Sequence, residues 1–480
     1  MTVEDELRLL REENALLREQ VKQIPVLLET IEQLQKQVKE LQDRLAKDSH
    51  NSSLPPSSDR FVRQKKTKSL RKKSGKKVGG QPGHVGHTLH QSETPDSVVE
   101  LAPITHCQHC QADLSQVEPQ TIERRQVIDV PQPRAEITEY RGEWKCCPRC
   151  QRLTHAAFPP AVNAPVQYGP RIAAIAVYLQ VHQLLPQART AELCADLLGV
   201  TLSQATLAAM QARATKELEP VEAQIKEALI HTPVLHQDET GLYVAGKRWW
   251  MHASSTPTLT HYAAHPSRGK QALDAIGIAP QFQGTSVHDA WASYFQYEYG
   301  HALCGVHLLR ELLFLWEQHH CQWASDLAGL LLRMKTSAEQ ARAHHQWMVS
   351  SDALLPLLEE YDRLLAEADR LHPPALSPPG KRGRPKQSAA RNLLDRLLTR
   401  KAQILAFLLD LQVPFDNNLA ERDVRMLKVQ QKVSGTFRSA QGAATFCRIR
   451  GYLSTLRKQG KPLFAALLTT FAGQPTLPAF

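Results

Sequence analysis

The sequence predicts a multidomain α/β protein, and three observations predict it. An apolar residue recurs at every seventh position near the start, cysteines come in two Cys-x-x-Cys pairs, and past Pro233 helical text gives way to strand-like runs. Length agrees, since 480 residues at ~150 per domain make about three domains. Hydrophobic residues at 42% and charged residues at 22% are the proportions of an ordinary folded chain and exclude wholesale disorder. Lys plus Arg is 58 against 48 for Asp plus Glu, so the formal charge of +10 favours polyanionic partners. No stretch of roughly 18 uninterrupted apolar residues occurs, and the start lacks the order of a signal peptide. A cytoplasmic protein with no membrane partner is therefore expected. The nine cysteines then read as reduced thiols or metal ligands, not as a disulfide scaffold.

Residues 1–48 predict a coiled coil. Leu10, Leu17, Ile24, Ile31, Val38 and Leu45 form one seam, with Leu7, Asn14, Val21, Leu28, Gln35 and Gln42 beside it. Asn14 is a polar seam residue of the kind that fixes register in two-stranded coils. Pro25 argues against one straight helix, because an interior proline costs about 3 kcal/mol and kinks or breaks it. A homodimer or higher homo-oligomer is expected from this segment; the alternative is an amphipathic helix folded back on its own chain. Residues 49–100 read as a basic flexible linker. Ten of the eighteen residues from Arg60 to Lys77 are Lys or Arg, Arg63, Lys65, Lys66, Lys72 and Lys73 among them, and none is acidic. Such a run self-repels, and beside DNA it would bind phosphate without sequence specificity.

Residues 101–158 read as a zinc-binding domain. Cys107-Gln-His-Cys110 and Cys147-Pro-Arg-Cys150 are two knuckles separated by 36 residues. Four thiolates from two tight turns satisfy one tetrahedral Zn²⁺, and strand-like text over 126–130 and 136–140 fits a zinc ribbon around a structural ion. Cys146 could replace Cys147, His106 and His109 are competing ligands, and a pair of redox dithiols is the alternative. Residues 159–230 read as a helical DNA-binding domain. A helix over 171–184 stops before Pro186, Thr190–Leu198 is followed by Gly199, and Ser203 can cap a further helix through Met210. Helix, glycine-containing turn, helix is a helix-turn-helix-like arrangement, although any helical hairpin gives similar text.

Beyond Pro233, Val234–Val244, Arg248–Ser254 and Leu259–Ala264 are strand candidates, Lys270–Ile276 a short helix, and Gly284–Val287 an apolar strand ending at His288-Asp289. Three strands, a helix and a strand that ends in an acid is the order of an RNase H-like sheet. Asp238 and Asp289 converge there if they sit at matching positions on neighbouring strands. The domain takes residues 231–440, with a helical insertion at about 305–400, where Leu308–Leu332 and Leu354–Leu371 read as helices. Cys304-Gly-Val-His307 opens the helix after the second acid. His307 either contacts a phosphate beside the site or packs, and no second pair is near to complete a metal site with Cys304. Lys381-Arg-Gly-Arg-Pro-Lys386 matches the core of an AT-hook, in which Arg382 and Arg384 lie along a narrow minor groove; a solvated basic loop is the alternative.

Asp416-Asn-Asn-Leu-Ala-Glu-Arg422 opens a helix with Glu421, Arg425 and Lys428 on one face. Asn418-x-x-Glu421 also resembles a capping box, and spacing alone slightly favours that role for Glu421. Residues 441–480 form a basic C-terminal region, with Arg448, Arg450, Arg457, Lys458 and Lys461 and no acid, expected to face DNA.

Seven strings appear in order: Asn51-Ser-Ser-Leu-Pro-Pro-Ser-Ser-Asp59, Gly79-Gly-Gln-Pro-Gly-His84, the two knuckles, His236-Gln-Asp-Glu-Thr240, His288-Asp-Ala-Trp291 and Val413-Pro-Phe-Asp-Asn-Asn-Leu-Ala-Glu-Arg422. From about residue 45 to the end the chain thereby resembles the DDE transposases of the bacterial insertion sequence 66 family. The resemblance implies an RNase H-like catalytic core and an acidic triad that falls on Asp238, Asp289 and Glu421. It moves Glu421 from cap to metal ligand. Two catalytic Mg²⁺ ions would be held by the triad, with Asp238 bridging them, for cleavage at element ends and joining of the 3′ ends to target DNA. Arg422, Arg425 and Lys428 are then expected on the DNA, in a nucleoid-associated protein. Competing readings are a non-catalytic zinc-containing DNA-binding regulator and a nuclease that cuts without joining.

Overall fold

A computed structural model describes residues 3–47, 83, 89–131, 133–376 and 385–480. The basic run with Arg63, Lys65, Lys66, Lys72 and Lys73 lies outside the described residues, as do Arg382 and Arg384. The chain divides into two compact units, residues 1–63, 140–195 and 201–480 in one and 64–139 with 196–200 in the other. Among the described residues no helix is long and apolar enough to cross a membrane.

In the larger unit, α1 (Val3–Ala46) is one helix that runs through Pro25, the residue that argued for a kink or a break. The ring removes a single N–H donor, and the hydrogen bonds on either side carry the helix past it. Its seam is bare: Leu17, Val21, Ile24, Leu28, Ile31, Val38 and Leu45 are 48–60% exposed. The helix is held at its end, where Ala46 packs on the helical core and Asp43 lies 3.2 Å from His319. In the smaller unit the strands expected over 126–130 and 136–140 do not form. Val127 and Ile137 are more than 90% exposed, so the alternation there has no sheet face to cover. Gln126 instead brackets Ser92, accepting its N–H at 2.7 Å and donating to its carbonyl at 2.8 Å. The second knuckle lies in the larger unit, flanked by a short hairpin of β1 (Trp144–Cys146) and β2 (Leu153–His155).

Helices follow as expected. They are α2 (Pro170–Val177, continued by a π turn over Tyr178–His182), α3 (Gln187–Leu198), α4 (Gln204–Glu217) and α5 (Glu219–Ile230). Ser203 Oγ accepts the Thr206 N–H at 3.0 Å, the cap that the sequence predicts. Gly199 takes a φ of +63°, the left-handed residue that ends a helix.

The sheet holds β3 (Val234–Val244), β4 (Lys247–Ser255), β5 (Thr260–His265), β6 (Thr285–His288) and β7 (Gly300–Leu303) in the order β5-β4-β3-β6-β7. The first three are antiparallel, and β6 and β7 run parallel to β3. α6 (Lys270–Ile276) makes the crossover. Each foreseen strand lies within a residue of its expectation, but β7 was not foreseen. The helical insertion follows as α7 (Gly305–His319), α8 (Gln322–Ala343), α9 (Ser351–Leu371), α10 (Ala389–Thr399), α11 (Lys401–Ile404) and α12 (Ala406–Leu409). Leu312, Trp323, Leu327, Leu331, Tyr361 and Leu394 form its core. The single helix expected over 308–332 is two, broken where His320 turns left-handed at φ 54°.

α13 (Asn418–Ser434) then returns to β3 and β4, α14 (Ala440–Lys458) to β5, and α15 (Leu463–Phe471) to α2 and α4. Of the cations expected on a DNA-facing basic surface, Arg457 is exposed but three are engaged within the fold. Arg448 is bonded to Glu222 at 2.5 Å, buried Arg450 donates to the carbonyls of Val181 and His182, and Lys458 holds Asp423 at 2.7 Å. These cations are engaged inside the fold because α14 sits between the sheet and the helices.

Burial pulls His182 and His252 down to about 4 and His288 to about 3. The unfolded chain protonates such groups near 6.5, so below that pH it binds more protons than the fold does. Their contribution is complete above about pH 6.5 and declines as pH falls toward the folded values. The urea midpoint should therefore drop from pH 7 to pH 5, and drop less in His252→Gln. An equal pH slope in wild type and variant would contradict this account.

Candidate active site

β6 is the parallel neighbour of central β3, with His236 opposite Val287. Asp238 follows His236 by two residues on β3, and Asp289 follows Val287 by two, one residue past the end of β6. Asp289 lies just past β6, where its Oδ1 accepts the Trp291 N–H at 3.1 Å and Ala290 adopts a φ of 69°. A residue with a side chain held there is strained by about 1 kcal/mol or more, so something must fix the turn. Two neutral histidines do. Ala290 N–H donates to His288 Nδ1 at 3.2 Å, which leaves the Nε2–H to donate to His301 Nδ1 at 3.1 Å, whose own Nε2–H reaches the Tyr297 carbonyl.

Glu421 arrives from the far side of the helical insertion, and buried Asn417 places it. Asn417 Nδ2 donates to the Gln237 carbonyl at 2.8 Å, its Oδ1 accepts from His236 Nδ1 at 2.9 Å, and its N–H reaches Cys304 Sγ at 3.3 Å. The start of α13 is thus bound to β3 and to the start of α7. Gly305 makes that approach possible, since a Cβ there would stand 2.3 Å from the Phe415 ring. Asn417 makes no side-chain cap bond, and the Asn418 N–H is taken by Asp416 at 3.1 Å. The capping role that spacing favours for Glu421 is accordingly corrected. Its Oε1 is buried without a hydrogen-bond partner, 4.0 Å from His307 Nε2, and His307 Nδ1 is equally unpartnered. Cys304, His307 and Glu421 offer ligand atoms that all lie within 4.8 Å of one another, company that the sequence did not reveal for the first two.

The charges of the site are uneven. Burial first, then the carboxylates of Glu239, Asp289 and Glu421, push the Asp238 carboxyl well above its usual range, against one N–H from Glu239. Glu239 is raised too, by burial and by Asp289, but Arg268 at 2.6 Å and the Tyr294 hydroxyl at 2.6 Å compensate it. Asp238, Asp289 and Glu421 therefore share one electrostatic neighbourhood. Among the described residues the three do not close as a set to within 4.8 Å. A pair of ions ~3.5–4 Å apart takes ligands spread wider than a single ion does. Carboxylate oxygens are the hard donors that Mg²⁺ takes. The Cys304 thiol, pushed up to about 12 by burial, stays protonated at neutral pH, and Glu421 has Arg425 at 3.8 Å and His307 at 4.0 Å.

Arg422 and Arg425 are exposed on α13, whereas Lys428 turns inward and donates to the Gly241 carbonyl at 3.0 Å. Sequence reasoning passed over Asn417, Glu239, Arg268 and Tyr294. Asn417 and Glu239 lie inside strings already singled out; nothing local marks the other two.

Each knuckle closes on the same turn. Gln111 N–H bonds to the Cys107 carbonyl with Gln111 at φ 61°, and Gln151 N–H bonds to the Cys147 carbonyl with Gln151 at φ 54°. N–H groups of Cys110 and His109 hold the Cys107 thiol below its usual range, and those of Cys150 and Arg149 do the same for Cys147. Cys146 stands outside this turn, on β1.

Asn417→Ala would leave a histidine N–H and a carbonyl buried without partners, a loss of about 2–4 kcal/mol. The urea midpoint should fall accordingly, and an unchanged midpoint would remove Asn417 from this role.

Residues 165–445, more than half of the chain and all three acids among them, match the Transposase IS66 family. Residues 3–90 match a family of unknown function, DUF6444. No curated protein matches the chain. The span of the first match, over the sheet, the insertion and α13, leads to one conclusion: the chain belongs to the IS66 family of transposases.

Proposed function

We propose that this chain cuts DNA at the ends of its element and joins the freed 3′ ends to target DNA, with Asp238, Asp289 and Glu421 as the catalytic carboxylates. One observation supports the reading: burial and the charges of Glu239, Asp289 and Glu421, which lie far apart in the chain, together raise the Asp238 carboxyl well above its usual range. Divalent cations relieve that repulsion. Two Mg²⁺ ions bound there would activate the attacking oxygen and offset the charge of the leaving one. Asp238 would offer oxygens from β3, Asp289 from just past the end of β6, and Glu421 from α13 beside His307. Water attacks first, breaking the bond from phosphorus to the 3′ oxygen and leaving a 3′-OH. That hydroxyl then attacks a target phosphodiester and displaces its 3′ oxygen, so no covalent protein–DNA intermediate forms. The strand order β5-β4-β3-β6-β7 supports an RNase H-like core for this chemistry.

Other parts of the reading follow. The turn at Cys107–Cys110 and the turn at Cys147–Cys150 each favour thiolates, which supports reading these cysteines as ligands of structural Zn²⁺. The bare seam of α1 supports pairing with a second copy. DNA contacts are assigned to the basic run from Arg60 to Lys77, to Arg382 and Arg384, and to exposed Arg422 and Arg425, with Lys428 bracing the helix that carries the last two.

Asp238→Asn tests the site. It removes the repelled charge, so its melting temperature without Mg²⁺ should rise by roughly 1–3 °C. The further rise on adding Mg²⁺ should vanish, and strand cleavage of DNA bearing the element's ends should fall to background. Retained cleavage would end the assignment. For the knuckles, metal analysis should give one zinc per chain, lost in Cys110→Ala; a zinc content unchanged by that substitution would exclude them as the site.

A further inference from the structure

Beside the acids lies a group of side chains that the chemistry above does not use. The Arg268 guanidinium sits 3.8 Å from the ring centre of Trp291 and 4.9 Å from that of Trp250, and Arg248 lies 4.7 Å from Trp250 as well. Two indoles and two guanidiniums thus form one stacked array. Arg268 is fixed within it by Glu239 at 2.6 Å and stands 3.9 Å from Asp289. The array is open at both ends. Trp291 keeps 36% of its surface exposed, and Arg248 is exposed at the other end. Trp291 is also tied to the site covalently and by hydrogen bond, since it follows Asp289 by two residues and donates its N–H to that carboxylate.

We propose that Trp291, backed by Arg268 and Trp250, is a stacking platform for an unpaired base of the DNA strand held at the acids. Indole faces bind bases of any identity, and a guanidinium packed behind the ring keeps the ring in place. Arg248 at the far end can meet a phosphate of the same strand. A merely structural clamp for Arg268 would not require an exposed indole, and duplex DNA offers no free base face to it. The platform rests on the reading of Asp238, Asp289 and Glu421 as the catalytic centre, and it names the strand state that this centre receives.

The experiment uses the full chain, a 12-nucleotide oligothymidine with one 5-iodouracil, and a 12-base-pair duplex, with no divalent cation added. Trp291→Ala should weaken oligothymidine binding about 5- to 100-fold while duplex affinity stays within about two-fold, and Trp291→Phe should restore most of the loss. Photo-crosslinking should map to the peptide carrying Trp291. Equal weakening for both probes, no weakening for either, or a crosslink that maps elsewhere would overturn the platform, and a failure of Trp291→Phe to rescue would too. The readout needs no cleavage. A chain that stacks the oligothymidine but never cuts DNA sinks the catalytic reading alone, and one that cuts without the stacking signature sinks the platform alone.

Discussion

The structure depends on one buried amide. Asn417 joins a strand to a helix that the chain reaches only after the whole helical insertion, and it does so with its carbonyl oxygen, its amino group and its backbone N–H together. A hydrogen bond between side chains is modest in water, but a buried partner left alone costs the full desolvation of that group. The amide therefore acts less as an attraction than as a condition: His236, Gln237 and Cys304 are satisfied only when α13 begins at this place. Gly305 is the complement to that condition, giving Phe415 the room that any side chain would fill. Burial holds His236 below its ordinary pKa, so it meets Asn417 as a neutral ring.

Once α13 is placed, the acids are placed, and they conflict. Asp238 is pressed by three neighbouring carboxylates and by its burial. Glu239 shows what a compensated acid looks like in the same setting, with Arg268 and Tyr294 supplying the missing counter-charge and donor. Asp289 and Glu421 are less closely met, with Arg268 at 3.9 Å from the first and Arg425 at 3.8 Å from the second. Functional sites commonly hold such unresolved charge, at some loss of stability.

Much of this was legible in the sequence, and the rest was hidden for identifiable reasons. β3, β4, β5 and α6 could be read because alternation and punctuation agree over several residues each. β6 could be read because its apolar run ends at an acid, and it lies parallel to β3. β7 was invisible, since Gly-His-Ala-Leu is too short to show a period. The alternation at 126–130 misled because a pattern states which face a strand would bury without supplying anything to bury it against. Arg448, Arg450 and Lys458 showed their sign but not their partners, which lie in helices and strands far earlier in the chain. Glu421 read as a cap because spacing cannot see Asp416 take the Asn418 N–H. His307 was left between two roles until Glu421 stood beside it.

The packing of α14 on β5, with Lys458 closed over Asp423, bears on how the polypeptide is made. Strands finished early have their covering helix encoded near the end, so the sheet stays uncovered while the insertion is being translated. At ~5–20 residues per second, the ribosome needs about ten to forty seconds between β3 and α14. For that interval the nascent chain shows apolar strands to its surroundings, and chaperone occupancy during synthesis becomes part of its biology.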